Sequence, residues 1–248
     1  MLNHKFVGNQ NSSQCIIFLH EGLGCIDMWK SYPDELCLQL NMQGLIYDRS
    51  GYGKSKGDLQ HRASNYLHLA VDELFELIHT LKIQNKDIIL YGHSDGGSIA
   101  LIFAAKHPNL THSIITEAAH VFVEQTTLKG IKPAKKAFEE GKLEGLRKYH
   151  GANYRTVFYA WVDIWNHPSF LNWNIETELA NIQSPQLIIQ GLNDQYGTLK
   201  QVESIQQNTT GNTIVFTPEN CGHAPFKEKT KDTMNEVITF ILKNTTNY

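Results

Sequence analysis

A serine hydroxyl becomes a nucleophile when a neighbouring base takes its proton, and that base is most often a histidine oriented by a carboxylate. Three positions in this chain supply those groups. Ser94 lies in Gly92-His93-Ser94-Asp95-Gly96, a G-x-S-x-G sequence preceded by the apolar run Ile88-Ile89-Leu90 and followed by a helix-like stretch over 98–105. Strand, tight turn and helix together form the context of a nucleophile elbow. Glycine at 92 and 96 removes side chains that would collide around a strained serine. Asp194 ends Gly191-Leu192-Asn193-Asp194, just past an apolar run at 186–190, and His223 in Cys221-Gly222-His223 follows the run at 213–216. Loops beyond the carboxyl ends of parallel strands gather at one edge of a sheet, so Ser94, Asp194 and His223 are the expected catalytic residues. Asp163 and Glu219 are weaker candidates for the acid, because neither follows such a strand.

Acyl chemistry also needs donors for a developing oxyanion. One is the backbone N–H of Asp95, directly after the nucleophile. The second belongs to His20-Glu21-Gly22-Leu23-Gly24, the loop after Cys15-Ile16-Ile17-Phe18-Leu19, with Gly22 as the first choice and Leu23 as the alternative. Substrate contacts are expected from Leu23, from His120 and from Trp161 and Trp165. His120, in Glu117-Ala118-Ala119-His120, follows a strand on the active edge, where it either contacts substrate or caps the chain's exit. Trp161, Asp163 and Trp165 either line an apolar cavity or simply pack together. Asp48 and Arg49 read as braces between loops.

The elements that must position these groups alternate. Apolar runs at 15–19, 44–47, 87–91, 113–116, 186–190 and 213–216 read as strands, those at 15–19 and 44–47 as buried on both faces, and Lys5-Phe6-Val7 reads as an edge strand. Between them, 26–40 reads as a helix interrupted near Pro33. A second, with Ser64 as its cap, carries apolar residues from Leu67 to Leu81 at spacings of three and four. Further helices are expected near 199–207 and 234–241. The order predicts an α/β fold, a mostly parallel central sheet with helices on both faces. The alternation breaks over 120–178, which carries three tryptophans and a helix-like segment from Pro133 to Tyr149. It reads as a helical insertion, dividing the chain into a core of 1–119 and 179–248 and an inserted unit of 120–178.

With 248 residues, 41% of them hydrophobic, the chain can bury a large core without staples, and a net charge of −3 points away from nucleic acid and anionic membrane surfaces. No run reaches the length of a membrane span and no secretory signal heads the sequence. Four scattered cysteines and 12 scattered histidines show no metal-site spacing, so no metal is expected and the cytoplasm is the expected location. The partner implied is a small-molecule substrate; the sequence carries no signal of oligomeric state.

In Leu19-His20-Glu21-Gly22-Leu23-Gly24, Asp48-Arg49-Ser50-Gly51-Tyr52-Gly53-Lys54-Ser55, the elbow, Gly191-Leu192-Asn193-Asp194 and Gly222-His223, nearly the whole chain resembles the α/β-hydrolase superfamily. The resemblance is to its branch of small serine esterases, C–C bond hydrolases and prolyl aminopeptidase-like enzymes. It implies the chain order Ser, Asp, His for the catalytic groups, a lid between the family's sixth and seventh strands matching 120–178, and no metal or organic cofactor. Glu21 departs from the family's usual His-Gly, where a carboxylate would disfavour an anionic substrate or hold the loop. The short N-terminal part implies that the first of the usual eight strands is absent. Ser94 argues against the dehalogenases and epoxide hydrolases that use Asp there. Cys25-Ile26-Asp27-Met28 lacks the Asn of C–C hydrolases, which favours an ester or thioester. C–C hydrolysis, acyl transfer on the same residues and a small-molecule receptor on a hydrolase fold remain as alternatives.

Overall fold

The computed structural model describes residues 1–59 and 62–245. Its strands are β1 (His4–Gly8), β2 (Gln14–Leu19), β3 (Gln43–Tyr47), β4 (Asp87–His93), β5 (Ser113–Glu117), β6 (Gln186–Ile189) and β7 (Thr213–Phe216). They form one sheet in the order β1-β3-β2-β4-β5-β6-β7. β1 runs antiparallel to β3 at the edge, and every other pairing is parallel. The helices are α1 (Tyr32–Leu40), α2 (Tyr66–Thr80), α3 (Asp95–Lys106), α4 (Gln125–Glu139), α5 (Arg147–His150), α6 (Tyr154–Asn166), α7 (Leu199–Asn208), α8 (Pro225–Glu228) and α9 (Thr230–Thr245). Among the described residues, no helix is long and apolar enough to cross a membrane.

The apolar runs are continuous because both faces of the sheet are covered. Successive side chains of a strand point to opposite faces. In β2, Cys15, Ile17 and Leu19 join Leu67, Val71 and Leu74 of α2 and Ile99 and Phe103 of α3 in one core. Ile16 and Phe18 join Leu36 of α1 and Val237, Phe240 and Ile241 of α9 in the other. β4 divides its residues likewise, Ile88 and Leu90 against Ile89 and Tyr91. All four cysteines are buried free thiols, and desolvation pushes that of Cys15 up to about 12.

Three local expectations are corrected. The segment over 26–40 is not one interrupted helix: a 3-10 turn, Ile26–Trp29, precedes α1, and Pro33 sits in the first turn of α1, where its missing N–H costs nothing. Ser64 does not cap α2, which begins at Tyr66 with Asn65 in the cap position and no side-chain cap bond. Pro133 lies inside α4 rather than opening a helix; α4 starts at Gln125, and Gly141, with φ +78°, turns the chain just after it ends. Between β5 and β6 the chain forms α4, α5 and α6 and no strand, only an isolated bridge between Phe122 and Asn174.

Candidate active site

β4 delivers Ser94 at its carboxyl end, directly before α3. Ser94 holds φ +54° and ψ −116°, a conformation side-chain-bearing residues rarely adopt. The turn leaves no space beside it. A Cβ on Gly92 would lie 2.1 Å from the Gly96 carbonyl oxygen, and one on Gly96 would lie 1.9 Å from that of Leu19. Only glycine fits either position, which explains the motif physically.

The loops after β6 and β7 bring Asp194 and His223 to this point. His223 Nε2 lies 2.9 Å from Ser94 Oγ, and His223 Nδ1 lies 2.8 Å and 2.9 Å from the two Asp194 oxygens. With Nδ1–H donated to the carboxylate, Nε2 is left to accept the serine proton. Asp194 also accepts from Tyr196 N–H at 2.7 Å and from the Gln190 side-chain amide at 2.7 Å. Burial alone would raise the Asp194 carboxyl, but the His223 charge and these hydrogen bonds outweigh it and bring it down to about 2. Burial opposes protonation of His223 too, yet the Asp194 charge and hydrogen bond raise its pKa above the ordinary value.

The His223 backbone is fixed by side chains on three sides. Glu228 accepts from Gly222 N–H at 2.7 Å and from Ala224 N–H at 3.0 Å. His93 Nε2–H donates to the His223 carbonyl at 2.7 Å. Glu117, wholly buried, accepts from Phe226 N–H at 3.1 Å and from the Tyr91 hydroxyl, while its carbonyl accepts from Ser94 N–H at 2.8 Å. Glu117 therefore links the elbow to the histidine loop, and desolvation raises its carboxyl to about 7.

Asp95 N–H opens α3 and so has no partner within the helix. Across from it, a Cβ on Gly22 would lie 3.4 Å from Asp95 Oδ2 and 2.7 Å from Trp161 Cδ1, so Gly22 sits directly against the elbow. Leu23 N–H instead donates to Glu21 Oε2 at 3.2 Å. The Glu21 carbonyl holds the loop, accepting from Arg49 Nη2 at 2.8 Å, Gly24 N–H at 3.0 Å and His20 Nδ1–H at 2.8 Å. Arg49 Nη1 meets the Asp95 carboxylate at 3.5 Å, both being buried, and Tyr66 O–H donates to that carboxylate at 3.0 Å. Asp48 braces loops as well, accepting from Ile26 N–H at 2.7 Å and Lys54 N–H at 2.9 Å.

A cavity of about 50 Å³ opens on Ser94 and His223, lined also by Glu21, Leu23, His120, Thr127, Trp161, Trp165 and Tyr196. The structure thus brings Leu23, His120, Trp161 and Trp165 together at the elbow. His120 is buried, its pKa brought down to about 4 by burial and by the nearby His223 charge, and its Nδ1 has no hydrogen-bond partner among the described residues. Asp163 does not join them. On a helix, residues four apart share a face, so Trp161 and Trp165 point inward while Asp163 lies exposed on the outer face of α6. There it lines a groove of about 680 Å³ with Arg62, Arg155 and His167, none of which lines the cavity at Ser94. Glu219 is exposed too, in a groove of about 570 Å³ with Lys229. Sequence reasoning missed Thr127, Tyr196 and Gln190. Tyr196 and Gln190 were within reach as neighbours of Asp194; Thr127 carried no signal.

Known proteins resemble the chain throughout. It is 28% identical over 182 residues to the serine hydrolase BPHL of Homo sapiens, covering 71% of this chain and 61% of that protein, so it spans about three fifths of that relative's length. It is 23% identical over 288 residues to the monoacylglycerol lipase abhd6-B of Xenopus laevis, covering 99% of this chain and 82% of that one. A thermophilic esterase from Thermogutta terrifontis shares the fold with a TM-score of 0.75 at 18% identity, over 99% of this chain and 94% of that one. The sequence profile of the alpha/beta hydrolase fold matches residues 14–177, well over half the chain, and the chain belongs to the α/β-hydrolase family.

Proposed function

We propose that the protein is a serine hydrolase that cleaves an ester or thioester of a small substrate through an acyl-enzyme on Ser94. The observation that carries this reading is the hydrogen-bonded sequence Asp194–His223–Ser94, with distances of 2.8 and 2.9 Å. His223 Nε2 takes the Ser94 proton as Oγ attacks the acyl carbonyl, and Asp194 stabilises the imidazolium that forms. The oxyanion is received by the N–H groups of Asp95 and Gly22. Gly22 is preferred over Leu23 because the Leu23 N–H already donates to Glu21. His223 then returns its proton to the leaving alcohol or thiol, and water activated by the same imidazole releases the acid.

In this reading 120–178 acts as the lid. It contributes His120, Thr127, Trp161 and Trp165 to the cavity, where aromatic rings alternate with polar groups and the volume of about 50 Å³ favours a small group beside Ser94. The experiment is labelling with a fluorophosphonate followed by peptide mapping, alongside ester turnover by wild type and Ser94→Ala. Modification of Ser94 and a loss of at least about 10⁴-fold in the variant are expected. A folded protein that resists the label, or a variant as active as wild type, would overturn the reading.

A further inference from the structure

Glu21 is the one carboxylate among the described residues lining the cavity at Ser94, and no lysine or arginine lines it. Arg49 reaches the same loop but is committed elsewhere, to the Glu21 carbonyl and to Asp95. Among the described residues, the Glu21 carboxylate accepts one hydrogen bond, from Leu23 N–H at 3.2 Å, and Glu21 is half-buried where it lines the cavity. An ionised carboxylate offers about four acceptor sites, so most of its capacity is unused by the protein. Its charge is felt on both sides of the cavity. The Tyr196 hydroxyl is raised first by burial and then by Glu21, and His223 is raised by Asp194 and further by Glu21, against the effect of burial.

A fixed negative charge at this place has two opposed effects on acyl transfer. It repels the oxyanion and it favours the imidazolium on His223. The two charges appear together in the transition state, so for an uncharged acyl group the effects oppose each other. An anion carried on the acyl chain has no such compensation, because it meets Glu21 in the ground state and the transition state alike. We infer that Glu21 is a specificity-determining residue that rejects acyl groups bearing an anion, so that the substrates are esters or thioesters of uncharged or cationic acids. This rests on the acyl-enzyme reading above.

The test compares three methyl esters of matched chain: methyl hexanoate, monomethyl glutarate and methyl 4-(trimethylammonio)butanoate. Acid release is followed for wild type and Glu21→Gln. The amide keeps an acceptor for Leu23 N–H, and the ratio of kcat/KM between esters within one protein cancels any general effect on the loop. Wild type should prefer the hexanoate over the glutarate on the order of 10- to 100-fold, the repulsion of like charges a few ångströms apart at a part-exposed site. In Glu21→Gln that ratio should collapse to within a few-fold, and the cationic ester should lose ground against the hexanoate. A ratio unchanged by the substitution, or a wild type that takes the glutarate as readily, overturns the inference. Should no ester be turned over, the acyl-enzyme reading fails separately. The charge filter is then read from binding of the same esters to Ser94→Ala by tryptophan fluorescence, where equal affinity for glutarate and hexanoate overturns it.

Discussion

His93, the residue before Ser94, donates its Nε2–H to the backbone carbonyl of His223 at 2.7 Å. The two groups of the proposed proton transfer are thus coupled through the backbone as well as through their side chains. Burial brings the His93 imidazole down to about 3, so it stays neutral and holds a single donor role. His93→Phe retains a ring beside Phe226 but removes the donor. It is expected to lower kcat about 10- to 100-fold through a small displacement of His223, with KM little changed. Steady-state kinetics normalised to fluorophosphonate-titrated sites measure this, since normalisation removes misfolded protein. A variant with full kcat per titrated site would show that the contact only supports the fold.

The pH dependence of kcat/KM follows from the Asp194–His223 pair. His223 must be neutral to accept the serine proton, and its pKa lies above the ordinary value. Activity is therefore present above that raised value and is lost as pH falls through it. Asp194→Asn removes the charge that raises His223, so the acidic limb should move to lower pH while the plateau drops about 10⁴-fold. A limb that stays in place, or moves upward, would count against Asp194 as the partner.

Linkage adds a stability counterpart. The Asp194 carboxyl is held at about 2, below its ordinary 3.8. Its contribution is fully present above the unfolded value and is lost as pH falls toward the folded one. His223 has the opposite sign: its contribution is present below its ordinary 6.5 and is lost as pH rises through its raised value. Urea midpoints of wild type and Asp194→Asn should therefore draw together as pH falls from 3.8 toward about 2, differ most between 3.8 and 6.5, and draw closer again as pH rises through the raised value of His223. Equal midpoints at every pH would contradict the coupling.

Much of this arrangement was legible in the residues, for identifiable reasons. β2, β3 and β4 are buried on both faces, so their apolar runs are unbroken, and the loops after them stand out as glycine-rich interruptions. Ser94 and Asp194 each follow a buried apolar run, His223 follows the half-buried edge strand β7, and parallel connection brings them to one edge. Choices that depend on side-chain direction were not legible. Whether Gly22 or Leu23 presents a free N–H turns on the rotamer of Glu21, which no spacing encodes. Proximity along the chain groups Asp163 with Trp161 and Trp165, although helical period puts it on the opposite face. Pro133 reads as a helix start by its usual preference, yet α4 carries it, exposed, in its interior.

Arg49 and Asp95 form a buried pair beneath the elbow, 3% and 1% exposed. Removing the guanidinium leaves the Asp95 carboxylate, among the described residues, with the Tyr66 hydroxyl as its side-chain hydrogen-bond donor and takes one of three donors from the Glu21 carbonyl. Arg49→Met is expected to cost about 3–5 kcal/mol, and Arg49→Met with Asp95→Leu should recover part of it, because the Asp95 carboxylate is then no longer left unpaired, although Arg62 loses the Asp95 charge it also faces. Urea unfolding of the two single variants and the double variant measures the coupling. Additive losses would mean that the pair does not interact appreciably.

A residue with a Cβ at φ +54° and ψ −116° is strained, and Ser94→Ala removes the hydroxyl while retaining that strain. Ser94→Gly removes both. Glycine also adds freedom to the unfolded chain, which offsets about 0.4–1 kcal/mol of the gain. The strain relieved is of order 1–3 kcal/mol, so Ser94→Gly should be the more stable of the two variants by about 1 kcal/mol. Thermal unfolding of the pair, compared at one pH, decides it. If Ser94→Ala is the more stable, the elbow holds its serine without strain, and the glycines at 92 and 96 serve only to make room.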